Sequence, residues 1–295
     1  MEIIILCGGA GEEREVSLSS GHCVEQALRL RGHTVCCYDL PSIQELSLLL
    51  GVCRRADAVV LAMHGGFGEN GELQAALEAA GVRHYSGSGA DASALAMQKS
   101  RAKAAVAALG VPVARGGLFT GELPPQWRPP YILKPEAGGS SVGFQLITQE
   151  EERLLFHPSE PYLCEEYLPG REYSVGVLAG RALPPVELCP IDGLYDYAHK
   201  YTAGATRELC PAPVDIYKRA LLQNLALVCF SGLGLRDYAR IDFKENAEGV
   251  PHFLEANTLP GMTQTSLLPL AAQVAGLEMG ALCERMATLA KSRRG

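Results

Sequence analysis

The sequence has no run of about 18 apolar residues, the length a membrane helix needs. Its start, Met1-Glu2 and then the short apolar stretch Ile3 to Leu6, lacks the basic region of a signal peptide. A chain without span or leader is expected to work in the cytoplasm. Basic clusters are absent apart from Lys291-Ser292-Arg293-Arg294, and the net charge is −7, so neither nucleic acid nor a membrane is an expected partner. None of the ten cysteines forms a C-x-x-C pair, Cys36 and Cys37 are adjacent, and most lie in apolar runs. They read as small buried hydrophobes in a reducing compartment rather than as a disulfide framework. The P-loop pattern G-x-x-x-x-G-K-[ST] occurs nowhere, and Gly9-x-Gly11 lacks the third glycine of a dinucleotide fingerprint because Arg14 stands there. Internal repeats and low-complexity segments are also missing.

What is present is a globular chain of 295 residues, 47% hydrophobic, long enough for two or three modules. Arg240-Ile241-Asp242-Phe243 and Phe253-Leu254-Glu255-Ala256-Asn257 alternate polar and apolar side chains around a hairpin connection with Asn246 and Gly249. Period-2 geometry puts Arg240 with Asp242, and Glu255 with Asn257, on one face of each strand. Asp242, Glu255 and Asn257 are an oxygen-only set suited to magnesium, although a solvated polar face has the same alternation. Lys134 stands just before Pro135-Glu136-Ala137-Gly138-Gly139-Ser140-Ser141-Val142-Gly143, a glycine-rich loop between two apolar runs. Backbone N–H groups, hydroxyls and a lysine charge are the parts of a phosphate cradle; a plain glycine-rich turn contains the same glycines. Gly139-Ser140-Ser141-Val142-Gly143 also matches a nucleophile elbow, which would make Ser141 the nucleophile of a serine hydrolase. That motif needs a following helix, whereas Phe144-Gln145-Leu146-Ile147 reads as a strand.

The N-terminal part alternates strand and helix: strands over Ile3 to Cys7, Val35 to Tyr38 and Ala58 to Met63, helices over Ser19 to Arg31 and Glu72 to Ala80. This predicts a small parallel sheet with binding loops at Gly8 to Val16 and His64 to Gly71. One helix is expected from Asp91 to Leu109, short strands from Val113 to Leu178 with a helix near Gln149 to Leu155, and helices over Val214 to Gly232 and Leu277 to Ala290.

Read together, CGGAGEEREVSLSSG from Cys7, AMHGGFGENGELQ from Ala62, SGSGADASALAMQKSRAK from Ser86, KPEAGGSSVG from Lys134, YDYAHKY from Tyr195 and RIDF…LEANTLPGMTQTSLLP resemble the D-alanine:D-alanine ligases of the ATP-grasp superfamily, in order along the whole chain. The resemblance implies an α/β and α+β architecture. Residues 1–88 would form an N-terminal substrate domain, 89–168 a central nucleotide-binding subdomain, and 169–295 a C-terminal catalytic subdomain with a lid loop at 191–211. It implies ATP and two magnesium ions, with manganese as a possible substitute, D-alanine as substrate, and a homodimer. Lys99, Lys134 and Lys200 would contact the phosphates, Glu165 and the Leu168 backbone the adenine, and Glu172 the ribose. Asp242, Glu255 and Asn257 would hold the metal. Glu13 would take the first substrate's ammonium, Arg240 and the Gly261 backbone the oxyanion, and Ser266 with the Leu267 backbone the second substrate's carboxylate. His64 resembles a position near the second substrate, and a structural role capping the Gly65-Gly66 turn fits it equally. Glu13, Ser140 and Tyr201 would link the closed lid. Relatives that take D-lactate or D-serine second remain the alternative within the superfamily; the Lys200-Tyr201 pair favours D-alanine.

Overall fold

The chain folds around three sheets in a computed structural model that describes residues 1–11, 13–121, 127–138, 143–153, 160–190 and 206–294. Strands β1 (Glu2–Gly8), β2 (Thr34–Leu40) and β3 (Ala58–Leu61) form a parallel sheet in the order β2-β1-β3. Their near-continuous apolar runs suit a sheet covered on both faces, and Ile3, Ile5, Leu6, Val59 and Val60 are buried in its core. Helix Arg14–Leu30 begins five residues before the sequence pattern places it, and Leu46–Arg55 is a helix that the pattern did not mark.

β4 (Gly116–Phe119), β5 (Tyr131–Pro135), β6 (Gln145–Ile147) and β7 (Tyr162–Glu166) form an antiparallel sheet in the order β4-β7-β5-β6. The residues after the glycine loop are therefore strand β6, as the sequence predicts, and the strand–turn–helix context of a nucleophile elbow is not met. The third sheet contains β8 (Glu172–Leu178), β9 (Arg181–Ala182), β10 (Val186–Pro190), β11 (Thr206–Leu209), β12 (Tyr238–Glu245) and β13 (Pro251–Asn257). Its order is β11-β10-β8-β12-β13, with β9 beside β8. The Ile216–Gly232 helix covers it, capped by the Asp215 side chain on Lys218 N.

The single helix expected from Asp91 to Leu109 is two, Ala90–Met97 and Lys99–Ala107. Gln98 between them is extended (ψ 97°), and the Lys99 N–H donates to the Glu136 carbonyl at 3.2 Å instead of continuing the first helix. Ala96, Ala102 and Val106 pack into the core of the third sheet. Among the described residues no single helix is long and apolar enough to cross a membrane.

The C-terminus ties the first sheet to the third. Arg293 donates to both Asp237 oxygens at 2.7 and 2.6 Å and to the Tyr85 carbonyl at 2.5 Å, and Asp237 also accepts from Gly87 N at 3.0 Å. Asp237 is buried, so Arg293→Ala strands a charge that, among the described residues, keeps the Gly87 N–H as its donor. The expected loss is about 2–3 kcal/mol of stability, read as a lower urea midpoint at unchanged slope. An unchanged midpoint would show that water replaces the guanidinium.

Candidate active site

β12 and β13 pair antiparallel with Arg240 opposite Asn257 and Asp242 opposite Glu255, so all four share a face, as the alternation predicts. Asp242 is buried and accepts from Ser174 Oγ at 2.7 Å, Arg240 Nε at 3.0 Å, Arg240 Nη2 at 2.9 Å and Asn257 Nδ2 at 3.0 Å. The amide of Asn257 thus gives its N–H to Asp242, which leaves its oxygen as a ligand atom. Two carboxylates directly opposite on adjacent strands repel one another, and a hard cation removes that cost. The donor set therefore fits magnesium, with Asp242, Glu255 and Asn257 as holders. Among the described residues no group of three or more His, Cys, Asp or Glu could hold a metal; this set relies on an amide as its third member.

Glu255 and Asn257 line a small cavity of about 30 Å³ together with Lys99, Gly138 and Glu69. Lys99 reaches the glycine loop, donating to the Gly138 carbonyl at 2.7 Å. Glu136, which the motif reading did not single out, accepts from Ser100 N at 3.2 Å and Ser100 Oγ at 2.5 Å, fastening the loop to the start of the Lys99–Ala107 helix. On β7, Glu165 is 1% exposed and faces Lys134 at 2.8 Å and Lys103. Leu168 is buried just beyond it, and Glu172 opens β8 paired with Lys244 at 3.0 Å.

A larger cavity of about 400 Å³ is lined by Glu13, His64, Glu69, Glu208, Arg240, Asn257, Gly261, Ser266 and Leu267, among others. Asn257 and Glu69 line both cavities, so the two are neighbours. Glu13 packs on Gly65, where φ is +65° and an added Cβ would overlap the Glu13 carboxylate. Gly261 is held close to Ser266, whose Oγ would lie 2.8 Å from a Cβ there. Ser266 precedes the Leu267–Val274 helix with extended backbone and no side-chain cap, so the first N–H groups of that helix lack an internal partner and favour an anion.

His64 and Glu69 bind this region to the loop that follows β13. His64 Nδ1 lies 3.0 Å from the Leu259 carbonyl and Nε2 2.9 Å from Ser20 Oγ, and Ser20 Oγ in turn accepts from Met262 N at 3.2 Å. Both ring nitrogens are engaged by protein, at Leu259 and Ser20 rather than at the Gly65-Gly66 turn. Glu69 accepts from Gly65 N at 2.7 Å and Leu259 N at 3.2 Å. Burial lowers the His64 imidazole to about 4, and burial, with Glu13 adding, raises the Glu69 carboxyl to about 7. Ser20 and Glu136 were not recognised from sequence because their partners are distant in the chain, and Glu69 because its contact to Leu259 is.

These two shifts act on stability with opposite signs. His64 binds a proton more readily when unfolded, so its contribution is full above pH 6.5 and is lost as pH falls toward 4. Glu69 binds one more readily when folded, so its contribution is full below pH 4.5 and is lost as pH rises through 7. Between pH 4.5 and 6.5 they offset. Glu69→Gln should therefore steepen the rise of stability with pH in that window and His64→Gln should reverse its direction, each by up to about 1.4 kcal/mol per pH unit. Parallel urea curves across pH 4.5–6.5 check this; identical slopes in all three proteins would contradict it.

Ser140, Lys200, Tyr201 and most of the expected lid loop, 191–205, lie outside the described residues, as does Ser141.

The family profile described as D-ala D-ala ligase C-terminus matches residues 122–288. The chain is 37% identical over 289 residues to a D-alanine--D-alanine ligase of Methylacidiphilum infernorum, spanning 96% of this chain and 93% of that protein. It is 39% identical over 288 residues to one from Aquifex aeolicus, spanning 94% and 97%. Among solved structures, a D-alanine--D-alanine ligase from Bacillus anthracis complexed with ATP matches with a TM-score of 0.84 at 25% identity, covering 100% of this chain and 98% of that one. A D-Ala:D-Ser ligase from Enterococcus faecalis shares the fold, with a TM-score of 0.81 at 23% identity over 98% and 99% of the two chains. Near full-length relatives at 37% and 39% identity, the family profile and the TM-score of 0.84 agree: the chain belongs to the D-alanine–D-alanine ligase family of the ATP-grasp superfamily.

Proposed function

We propose that the protein joins two D-alanine molecules in an ATP-dependent reaction that passes through D-alanyl phosphate, supplying a peptidoglycan precursor. The observation that carries the reading is that Glu13, Arg240, Gly261 and Ser266 line one cavity, which adjoins the cavity of Lys99, Glu255 and Asn257. An amino-acid site and a phosphate site therefore meet at Asn257.

In this reading Glu13 holds the ammonium group of the first D-alanine, and that substrate's own carboxylate oxygen attacks the γ-phosphorus of ATP, releasing ADP and leaving D-alanyl phosphate. Lys99 and Lys134 position the phosphates, with Lys200 following the transferred group. Glu165 and the Leu168 backbone hold the adenine, and Glu172 the ribose. Asp242, Glu255 and Asn257 would hold magnesium, which would neutralise charge on the phosphate oxygens. The second D-alanine places its carboxylate on Ser266 and the free N–H groups at the start of the Leu267–Val274 helix. Its amine, after losing a proton, attacks the acyl carbon. Arg240 and the Gly261 N–H face the oxyanion of that tetrahedral intermediate, which collapses with loss of inorganic phosphate. Ser140 and Tyr201 complete the reading as the lid's link to Glu13.

The test is phosphate release from ATP and magnesium with D-alanine, L-alanine, D-serine or D-lactate supplied in turn, each also paired with D-alanine. Release with D-alanine alone, accompanied by the dipeptide, is the expected result. Release only when D-serine or D-lactate accompanies D-alanine would assign a different second substrate. Ester hydrolysis without ATP would assign a serine hydrolase.

A further inference from the structure

Glu165, Lys103 and Lys134 form a buried ion cluster in which one lysine has no place in the reaction described above. Glu165 is on β7, Lys134 on β5 and Lys103 on the Lys99–Ala107 helix. Glu165 is 1% and Lys103 5% exposed. Lys134 Nζ lies 2.8 Å from Glu165 Oε2, and Lys103 Nζ pairs with Oε1. Both contacts are ion pairs on a buried carboxylate, so charge holds the cluster together.

Burial by itself would raise the Glu165 carboxyl, yet Lys134 and Lys103 outweigh it and the group is held below its ordinary value. Burial, with Lys134 next, lowers Lys103 to about 8; it is a cation kept in place by its anionic neighbours, with Glu255 contributing. Glu165 faces two lysines, and Glu255 acts on both of them from a distance, so Lys134 can take a second task while Lys103 stays on Glu165. A nucleotide's phosphates draw Lys134 toward themselves, and Glu165 then depends on the remaining cation to stay ionised.

We propose that Lys103 is a positioning residue that keeps Glu165 an anionic acceptor while Lys134 engages phosphate, and thereby sets the preference for an adenine base. The proposal rests on the reading of Glu165 as the partner of the adenine amino group. Adenine offers an N–H donor at that position, whereas hypoxanthine offers a carbonyl oxygen. An ionised carboxylate accepts from the first and repels the second. A protonated carboxyl donates to the second, so loss of the Lys103 charge removes the discrimination.

The experiment compares kcat/KM for ATP and for inosine triphosphate in phosphate release at saturating D-alanine. Wild type should favour ATP. Lys103→Met should lower the ATP-to-inosine ratio by about tenfold or more, chiefly through the KM for ATP. Lys103→Arg, which keeps the charge, should retain most of the ratio. Lys134→Met should weaken both nucleotides together and leave the ratio in place. Glu165→Gln should collapse the ratio, and adding Lys103→Met to it should change the ratio no further. That double variant also removes both buried charges of the pair, so it is readable even where Lys103→Met alone does not fold. An unchanged ratio in Lys103→Met, or a further drop in the double variant, with a collapsed ratio in Glu165→Gln, overturns the role of Lys103 alone. An unchanged ratio in Glu165→Gln overturns the base assignment beneath it.

Discussion

Glu255→Gln should lower ATP turnover by about 10²–10³-fold, the equivalent of roughly 3–4 kcal/mol of lost charge stabilisation, while the protein stays folded. Glu255 lies opposite Asp242 across β12 and β13 and lines the small cavity with Lys99 and Asn257. It is also the carboxylate whose charge reaches both Lys103 and Lys134. Removing its charge should weaken the proposed metal site on one side and the hold on Lys103 and Lys134 on the other. The amide is isosteric, and the repulsion relieved with Asp242 is set against the attraction lost to Lys103 and Lys134, so the urea midpoint should change little. Raised magnesium should recover part of the activity in Glu255→Gln. Wild-type turnover at limiting magnesium in a folded variant would remove Glu255 from the metal site.

If Arg240 faces the oxyanion as proposed, Arg240→Met should cost a similar factor in kcat, about 10²–10³. Its guanidinium spans both Asp242 oxygens and lines the larger cavity, so it would link the proposed metal face to the proposed acyl-transfer site. Arg240→Lys should not restore the rate, since an ammonium cannot reproduce the two-pronged contact. Asp242 keeps Ser174 and Asn257 as donors in either variant, which preserves the strand pair. KM for ATP should move much less than kcat if the lost interaction belongs to the intermediate. A fall confined to KM would place Arg240 in nucleotide binding instead.

Much of the site was readable because it is local. The facing hairpin of β12 and β13 follows from alternation and a turn of Asn246 and Gly249, and the parallel order of β1 to β3 from strand–helix alternation. Elements set by tertiary contacts were harder. The break at Gln98 has no proline or glycine to mark it and arises because Lys99 and Ser100 turn toward Glu136. The Leu46–Arg55 helix hides its period because Leu48, within its leucine run, is 79% exposed. The Glu165 cluster joins two strands and a helix, and the engagement of both His64 nitrogens spans 195 residues to Leu259 and 44 to Ser20. No spacing rule reports such pairs; burial and distance do.

The account stands most directly on the fate of one oxygen atom. If the carboxylate of the first D-alanine attacks ATP and leaves as part of phosphate, D-alanine labelled with ¹⁸O in both carboxylate positions must pass one labelled oxygen to each phosphate released. Mass analysis of that phosphate during dipeptide synthesis is the measurement. One ¹⁸O per phosphate, in step with the dipeptide formed, is the predicted result; unlabelled phosphate alongside dipeptide would contradict it.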